Sequence, residues 1–302
     1  MTLRTSALPE FRTHWSELAG SVHWIDLPGP GDPTPVVAVH GLGASHAGWL
    51  TLAPLLAESR HVYALDLHGH GRTPTAGRDT RVQANQRLLH RVLSDVVRRP
   101  AILVGNSMGA LISLHQAAAH PQTVAALALL GPALPLGGHR WPEPAVAAGV
   151  VAAGIPGLGA QILRRRRRSV SPRAQIDEML HLAGVPVERV PPAVLDLEVA
   201  MVAQRRQCPD LESAMERAAR STVRAVLERG SYDAVLASVT QPVLVVHGHK
   251  DRLVPVESAW RAGRMHPEWT IITRRDMGHA PMLEHPEWTA GVINSWLESL
   301  DL

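Results

Sequence analysis

Five residues constrain this chain more than any others. Gly105-Asn106-Ser107-Met108-Gly109 follow the apolar run Ala101–Val104 with no loop between, and the helix-compatible run Ala110–Ala119 follows them directly. A buried strand that becomes a helix across so short a turn must bend sharply. Small residues are then required on either side of the serine, because the backbone there approaches its neighbours too closely for a β-carbon.

The rest of the chain repeats this strand-then-turn pattern. Val36–Val39 ends at His40-Gly41-Leu42-Gly43, and His61–Leu67 ends at His68-Gly69-His70-Gly71. Val124–Leu130, Val243–Val246 and Trp269–Thr273 are further strand-like runs. Between them, Leu88, Leu89, Val92, Leu93 and Val96 recur at helical spacing and predict one helix over Arg81–Arg98, while Ser258–Met265 predicts another. A last helix opens at Pro286 and carries Trp288, Val292 and Trp296 as one stripe. Such alternation predicts an α/β class chain with a mostly parallel sheet covered by helices on both faces. Residues 133–230 lack strand-like runs and read as a helical cap inserted in a core made of 1–132 and 231–302. The inserted stretch holds 14 arginines against 10 acidic residues, so the chain's net charge of +3 resides there.

Composition excludes several classes. With 45% hydrophobic and 19% charged residues in 302, the chain buries a large core and is not disordered. Cys208 is alone, which excludes an intrachain disulfide and a cysteine-based zinc site. The one lysine, Lys250, stands between His249 and Asp251, so no phosphate-cradling G-x-x-x-x-G-K-[ST] loop exists. Met1–Gly20 has no continuous apolar stretch, and the expected location is cytoplasmic. The uncharged run Ala145–Leu163, followed by Arg164–Arg168, resembles a membrane span with a basic stop. Its Ala and Gly content and Pro156 argue for a cap segment that makes at most transient contact with a membrane surface. The arginine run has no interleaved aromatic residues, so nucleic acid is not an expected partner.

Ser107, at the strained turn, is a candidate nucleophile, and a serine hydroxyl needs a base held by a carboxylate. Of the 17 histidines, His279 follows the strand Trp269–Thr273 in the loop Asp276-Met277-Gly278-His279. His14, His61, His90, His120 and His266 read as surface or helical residues without a partner. His40, His68, His70, His247 and His249 belong to glycine turns. Asp251 emerges after Val243–Val246 at the same sheet edge as Ser107 and is favoured as the orienting acid. Asp276, three residues before His279, is its rival, since facing the imidazole from there requires a chain reversal.

Taken together these segments resemble the α/β-hydrolase-fold serine hydrolases that carry a cap, a group spanning esterases, lipases and carbon–carbon hydrolases. The matching stretches are His40–Gly43, Asp66–Thr73, Gly105–Gly109, His247–Pro255 and Gly278–Glu284, in that order. The resemblance implies an oxyanion hole from the backbone N–H groups of Leu42 and Met108, and it implies no metal or cofactor. It also separates this chain from haloalkane dehalogenases and epoxide hydrolases, which place aspartate where Ser107 stands.

The expected function is therefore carboxylesterase- or lipase-like hydrolysis of a small-molecule ester or other acyl substrate. Carbon–carbon hydrolysis of a vinylogous diketone is the alternative within enzymes. Many such enzymes share the Gly-Asn-Ser-Met-Gly turn but place tryptophan after the histidine, where this chain has Ala280. A slow-turnover ligand-binding or signalling relative is the alternative outside them. Trp49 and Trp141 are candidates for lining an acyl pocket. Oligomeric state and substrate identity are not legible in the residues.

Overall fold

The computed structural model describes residues 7–136, 148, 155 and 157–302. Trp141 and most of Ala145–Leu163 lie outside the described residues. The strands are β1 (Arg12–Glu17), β2 (Ser21–Leu27), β3 (Val36–Val39), β4 (Val62–Leu65), β5 (Ala101–Asn106), β6 (Val124–Leu130), β7 (Val243–Gly248) and β8 (Thr270–Arg274). They form one eight-stranded sheet in the order β1-β2-β4-β3-β5-β6-β7-β8. From β4 onward every neighbour runs parallel. This is the α/β-hydrolase fold.

The antiparallel pair β1–β2 is a departure from the sequence expectation, which placed no strand before Val36. β1 reads RTHWSE, polar on both faces and half exposed, so no apolar alternation marks it. Polar contacts hold it instead. Arg12, His14 and His61 all reach the carboxylate of buried Asp26, His14 at 2.7 Å and His61 at 2.6 Å. Two histidines that look partnerless in sequence thus tie the edge strand and β4 to β2.

The helices before the insertion are α1 (Ala53–Ala57), α2 (Val82–Arg91) and α3 (Met108–Ala119). The helix expected over Arg81–Arg98 stops early, because Val92–Val97 widen into a π-helical turn that ends at Arg98 with φ 60°. The wider turn buries Val97 and leaves Val96 half-buried, and with valine at both positions the residue types alone do not distinguish the two geometries. Between β6 and β7 the described residues form α4 (Leu158–Ser169), α5 (Pro172–Ala183), α6 (Pro192–Arg205), α7 (Leu211–Leu227) and α8 (Arg229–Ala237), with no strand among them. The boundary read at residue 230 falls inside α8, whose Tyr232 and Leu236 join the core under α3. No helix among the described residues is long and apolar enough to cross a membrane.

The chain closes with α9 (Glu257–Met265), α10 (Pro281–Glu284) and α11 (Pro286–Glu298). The stripe α11 buries is Thr289, Ala290, Ile293, Trp296 and Leu297, so Trp288 and Val292 flank the buried face instead of leading it. Alternate residues of the parallel strands divide between two cores. Leu103, Val243 and Val245 face α2 and α3, whereas Ile102, Val104, Leu244 and Val246 face α1 and α11. Both faces are covered, which is why these strands are apolar throughout. Trp49 is fully buried in the second core.

At the turn after β5, helix lies directly on strand. A β-carbon on Gly109 would stand 2.0 Å from the Val39 carbonyl oxygen, and one on Gly105 would stand 2.7 Å from the Ala110 backbone. Backbone cannot yield as a flexible side chain does. Gly109→Ala should therefore lower unfolding free energy by about 3 kcal/mol, at or beyond the usual range for overpacking, with the loss measured by urea denaturation. A change within about 0.5 kcal/mol, the range of neutral surface substitutions, would show that α3 can slide on β3.

Candidate active site

The parallel strands β3, β5, β6, β7 and β8 all end at one edge of the sheet, where a ligand crevice forms in open α/β sheets. Each candidate residue hangs from one of those ends. Ser107 follows β5 with φ 53° and ψ −116°, a conformation L-residues adopt only under constraint. The constraint is visible on both sides: Ser107 N–H donates to Leu130 O at 3.2 Å, and Ala110 and Leu111 already bond back to Ser107 O. Met108 opens α3, so its N–H lies in the first turn, where no intrahelical carbonyl is available.

Asp251 and His279 meet. Nδ1 of His279 donates to Asp251 Oδ2 at 2.7 Å, and both side chains are buried. Asp251 Oδ1 accepts the N–H groups of Leu253 and Val254, each at 2.9 Å. His247, read in sequence as a turn residue, also faces it: its Nε2 bonds Val254 O at 2.9 Å and lies 3.1 Å from Asp251 Oδ2. Burial opposes ionisation of Asp251, but the two histidines outweigh it and hold the carboxyl well below the usual range. Asp276 turns away, bonded to Arg274 at 2.8 Å.

The Nε2 atom of His279 is buried and has no hydrogen-bond partner. The imidazole packs over Gly131, where a β-carbon would lie 3.2 Å from Nδ1 and 2.6 Å from the His279 carbonyl oxygen. Since Ser107 N–H bonds the residue just before Gly131, ring and serine are set on adjacent strand ends. Asn106 reinforces this by donating its side-chain amide to Leu130 O at 2.9 Å and His279 O at 3.1 Å. The residue before the serine therefore ties the turn to the histidine loop, a role not evident from sequence.

Leu42 lies in the turn after β3. His40 fixes that turn, with Nδ1 donating to Gly41 O at 2.8 Å and Nε2 accepting Leu67 N–H at 3.1 Å. Burial holds the His40 pKa down to about 4, so the ring stays neutral and keeps this donor–acceptor arrangement. From the insertion, Arg205 donates to Gly43 O at 2.9 Å, and Ser45 donates to the buried Glu198 at 3.2 Å. The His279 loop is likewise joined to the insertion, its N–H donating to Ala183 O at 2.9 Å.

One cluster among the described residues has the composition of a metal site. The ligand atoms of His23, His46 and Asp66 lie within 4.8 Å of one another, all buried. The Asp66 carboxylate, however, already accepts Nδ1 of His23 at 2.7 Å, Nδ1 of His46 at 2.9 Å, and the N–H groups of His46 and Arg72. Both imidazole Nδ1 atoms are thereby committed as donors. The cluster fastens the chain after β4 to β2 and to the segment following β3.

Glu284 closes the matching stretch Gly278–Glu284, but the sequence gives it no role. Its carboxylate accepts Gly278 N–H at 2.8 Å and Ala280 N–H at 3.3 Å, bracketing His279.

The profile of the Alpha/beta hydrolase family matches residues 36–292. The chain is 29% identical over 279 residues to a 2-hydroxy-6-oxo-6-(2'-aminophenyl)hexa-2,4-dienoic acid hydrolase of Metapseudomonas resinovorans, covering 88% of this chain and 85% of that one. It is 31% identical to a pimeloyl-[acyl-carrier protein] methyl ester esterase of Aromatoleum aromaticum, covering 85% and 96%. In fold it resembles a serine hydrolase of Cycloclasticus zankles, with a TM-score of 0.76, 17% identity and coverage of 96% and 99%.

Burial pushes the Glu284 carboxyl up to about 7, against the two backbone N–H groups that favour its charge. In the folded chain it then keeps a proton that the unfolded chain, near the ordinary 4.5, has released. Stability contributed by this group is thus present at low pH and lost as pH rises from about 4.5 to 7. Unfolding free energy of wild type minus that of Glu284→Gln should fall across this window and level off above it, as read from denaturation curves at stepped pH. A difference independent of pH would contradict the shift.

Proposed function

We propose that this chain, which belongs to the alpha/beta hydrolase family, cleaves a carboxylic ester through an acyl-enzyme on Ser107. The observation carrying this reading is the Asp251–His279 pair at 2.7 Å, with His279 Nε2 left without a partner and Ser107, at φ 53°, on the adjacent strand end. Ser107 Oγ attacks the ester carbonyl carbon while His279 Nε2 takes its proton. Asp251 stabilises the imidazolium and fixes its tautomer. The N–H groups of Leu42 and Met108 receive the oxyanion, each contributing about 3–4 kcal/mol to the transition state. Collapse expels the alcohol, protonated by His279, and water activated by the same ring releases the acid. The helical insertion serves as the cap that shapes the acyl site.

A second reading, hydrolysis of a carbon–carbon bond in a vinylogous diketone, draws on likeness to the dienoic acid hydrolase of Metapseudomonas resinovorans. Against it stands Ala280 after the histidine. Loss of a dienone chromophore on mixing would favour this alternative.

Hydrolysis of p-nitrophenyl esters from acetate to palmitate, run on wild type and Ser107→Ala, tests the ester reading. The variant should lose at least about 10⁴-fold in kcat, the scale of disabling a triad serine, while its circular dichroism and melting curve stay unchanged. Near-wild-type turnover in a folded Ser107→Ala protein would overturn the nucleophile assignment. Inertness of folded wild type toward every ester would shift the weight to carbon–carbon cleavage.

A further inference from the structure

A cavity of about 120 Å³ lies within the helical insertion and reaches Gly43, the neighbour of Leu42. For scale, a dry cavity of about 150 Å³ holds a benzene molecule. One part of its wall is apolar, with Val202, Leu211 and Met215. Gly43, at φ 78°, brings bare backbone to the wall, with Met215 Cε and Met179 Sδ the nearest side-chain atoms to where its β-carbon would stand, at 3.7 and 3.8 Å.

Four arginines, Gln175 and the one carboxylate Glu212 line another part of the wall, and the cations fall into two kinds. Arg166 and Arg167 are neutralised, one by Glu178 and the other by Glu212 at 2.8 Å. Arg205 and Arg206 have no carboxylate within ion-pair distance among the described residues. Arg205 is 7% exposed; its Nη2 serves Gly43 O, but its Nη1 is buried without any hydrogen-bond partner. Arg206 donates from Nη2 to Gln175 at 2.8 Å and from Nη1 to Arg167 O at 3.4 Å, while its Nε is buried and unpartnered. Burying a guanidinium N–H with nothing to receive it is costly, and an anion relieves that cost. Burial also lowers the pKa of Arg205, which registers the same desolvation.

We infer that this cavity seats the acyl chain of a short ester whose far end is a carboxylate, with Arg205 and Arg206 receiving that carboxylate. The inference rests on the ester reading of Ser107. With the scissile carbonyl at Leu42 and Met108, the methylene chain passes over Gly43 along the apolar wall and ends at the two guanidinium groups. Water then converts the monoester of a short dicarboxylic acid to the dicarboxylate and the alcohol.

Monomethyl glutarate and methyl pentanoate separate the possibilities, since they match in chain length and differ in the terminal charge. Calorimetric titration of Ser107→Ala measures binding without turnover. The glutarate ester should bind about ten- to a hundredfold more tightly, the scale of one charge-assisted hydrogen bond. Added salt should weaken the preference, and Arg206→Gln in the same background should remove most of it. Arg206 is the residue to replace first because Arg205 also holds Gly43. In wild type the ratio of kcat/KM for the two esters should follow the binding ratio. Equal affinity for the two esters, including none for either, overturns the inference, as does a preference that survives both Arg206→Gln and Arg205→Gln. Selective binding lost in Arg206→Gln, with no hydrolysis by wild type, leaves the anion seat standing and refutes the ester reading alone.

Discussion

The contact between the Gly109 backbone and the Val39 carbonyl governs the geometry of everything else at the sheet edge. Because α3 lies directly on β3, the chain leaving β5 must reverse within Ser107-Met108, and the reversal forces Ser107 to φ 53°. Strain of this kind costs about 1–3 kcal/mol. It is offset by a strand and a helix whose residues are almost wholly buried on both sides of the turn. The same turn leaves the first N–H of α3 without an intrahelical carbonyl. One packing constraint thereby positions both the proposed nucleophile and one of the two proposed oxyanion donors.

Around that turn, loops are secured by buried carboxylates that accept backbone N–H groups. Asp66 fastens the chain after β4, Asp251 folds its own loop over Leu253 and Val254, and Glu284 brackets His279. A buried carboxylate is tolerable only when its lone pairs are occupied, so each of these loops has few alternative conformations. Two of the three differ in charge state for a physical reason. Asp251 faces two histidines that outweigh its burial and stays ionised, whereas burial of Glu284, with the negative field of Asp251 added, outweighs its two amide donors and holds its proton up to about 7. On the proposed chemistry, dipoles held this way need no reorganisation as charge develops on the carbonyl.

The parallel strands were legible in the sequence because burial on both faces makes each a continuous apolar run that a glycine turn ends. β1 and β2 were not, since an edge hairpin held by Asp26 carries polar residues on both faces. The π-helical turn at Val92–Val97 was hidden because its apolar residues fit an α-helix equally well. Within the candidate site, Ser107, Asp251 and His279 stand out as candidates because each follows a strand end in a distinctive turn. Asn106, His247 and Glu284 do not, because their partners are carbonyls, amides and an already claimed carboxylate, and backbone groups leave no residue-type signature. Preferring Asp251 over Asp276 rested on chain reversal; in the structure Arg274 also draws Asp276 away from the imidazole.

The insertion does more than cover this edge. Helix α6 grips the turn after β3 at two points, through Glu198 to Ser45 and through Arg205 to Gly43, and the end of α5 holds the His279 N–H. Arg205 therefore belongs at once to the cavity wall and to the support of Leu42. An anion seated on its free Nη1 draws on the same planar guanidinium whose Nη2 fixes Gly43, and a rigid fork transmits its orientation between the two. On the proposed seat, recognition of the far end of the acyl chain and support of the Leu42 turn share one side chain. That coupling gives a physical reason for an arginine here in place of lysine, whose single ammonium cannot hold two fixed directions in one plane.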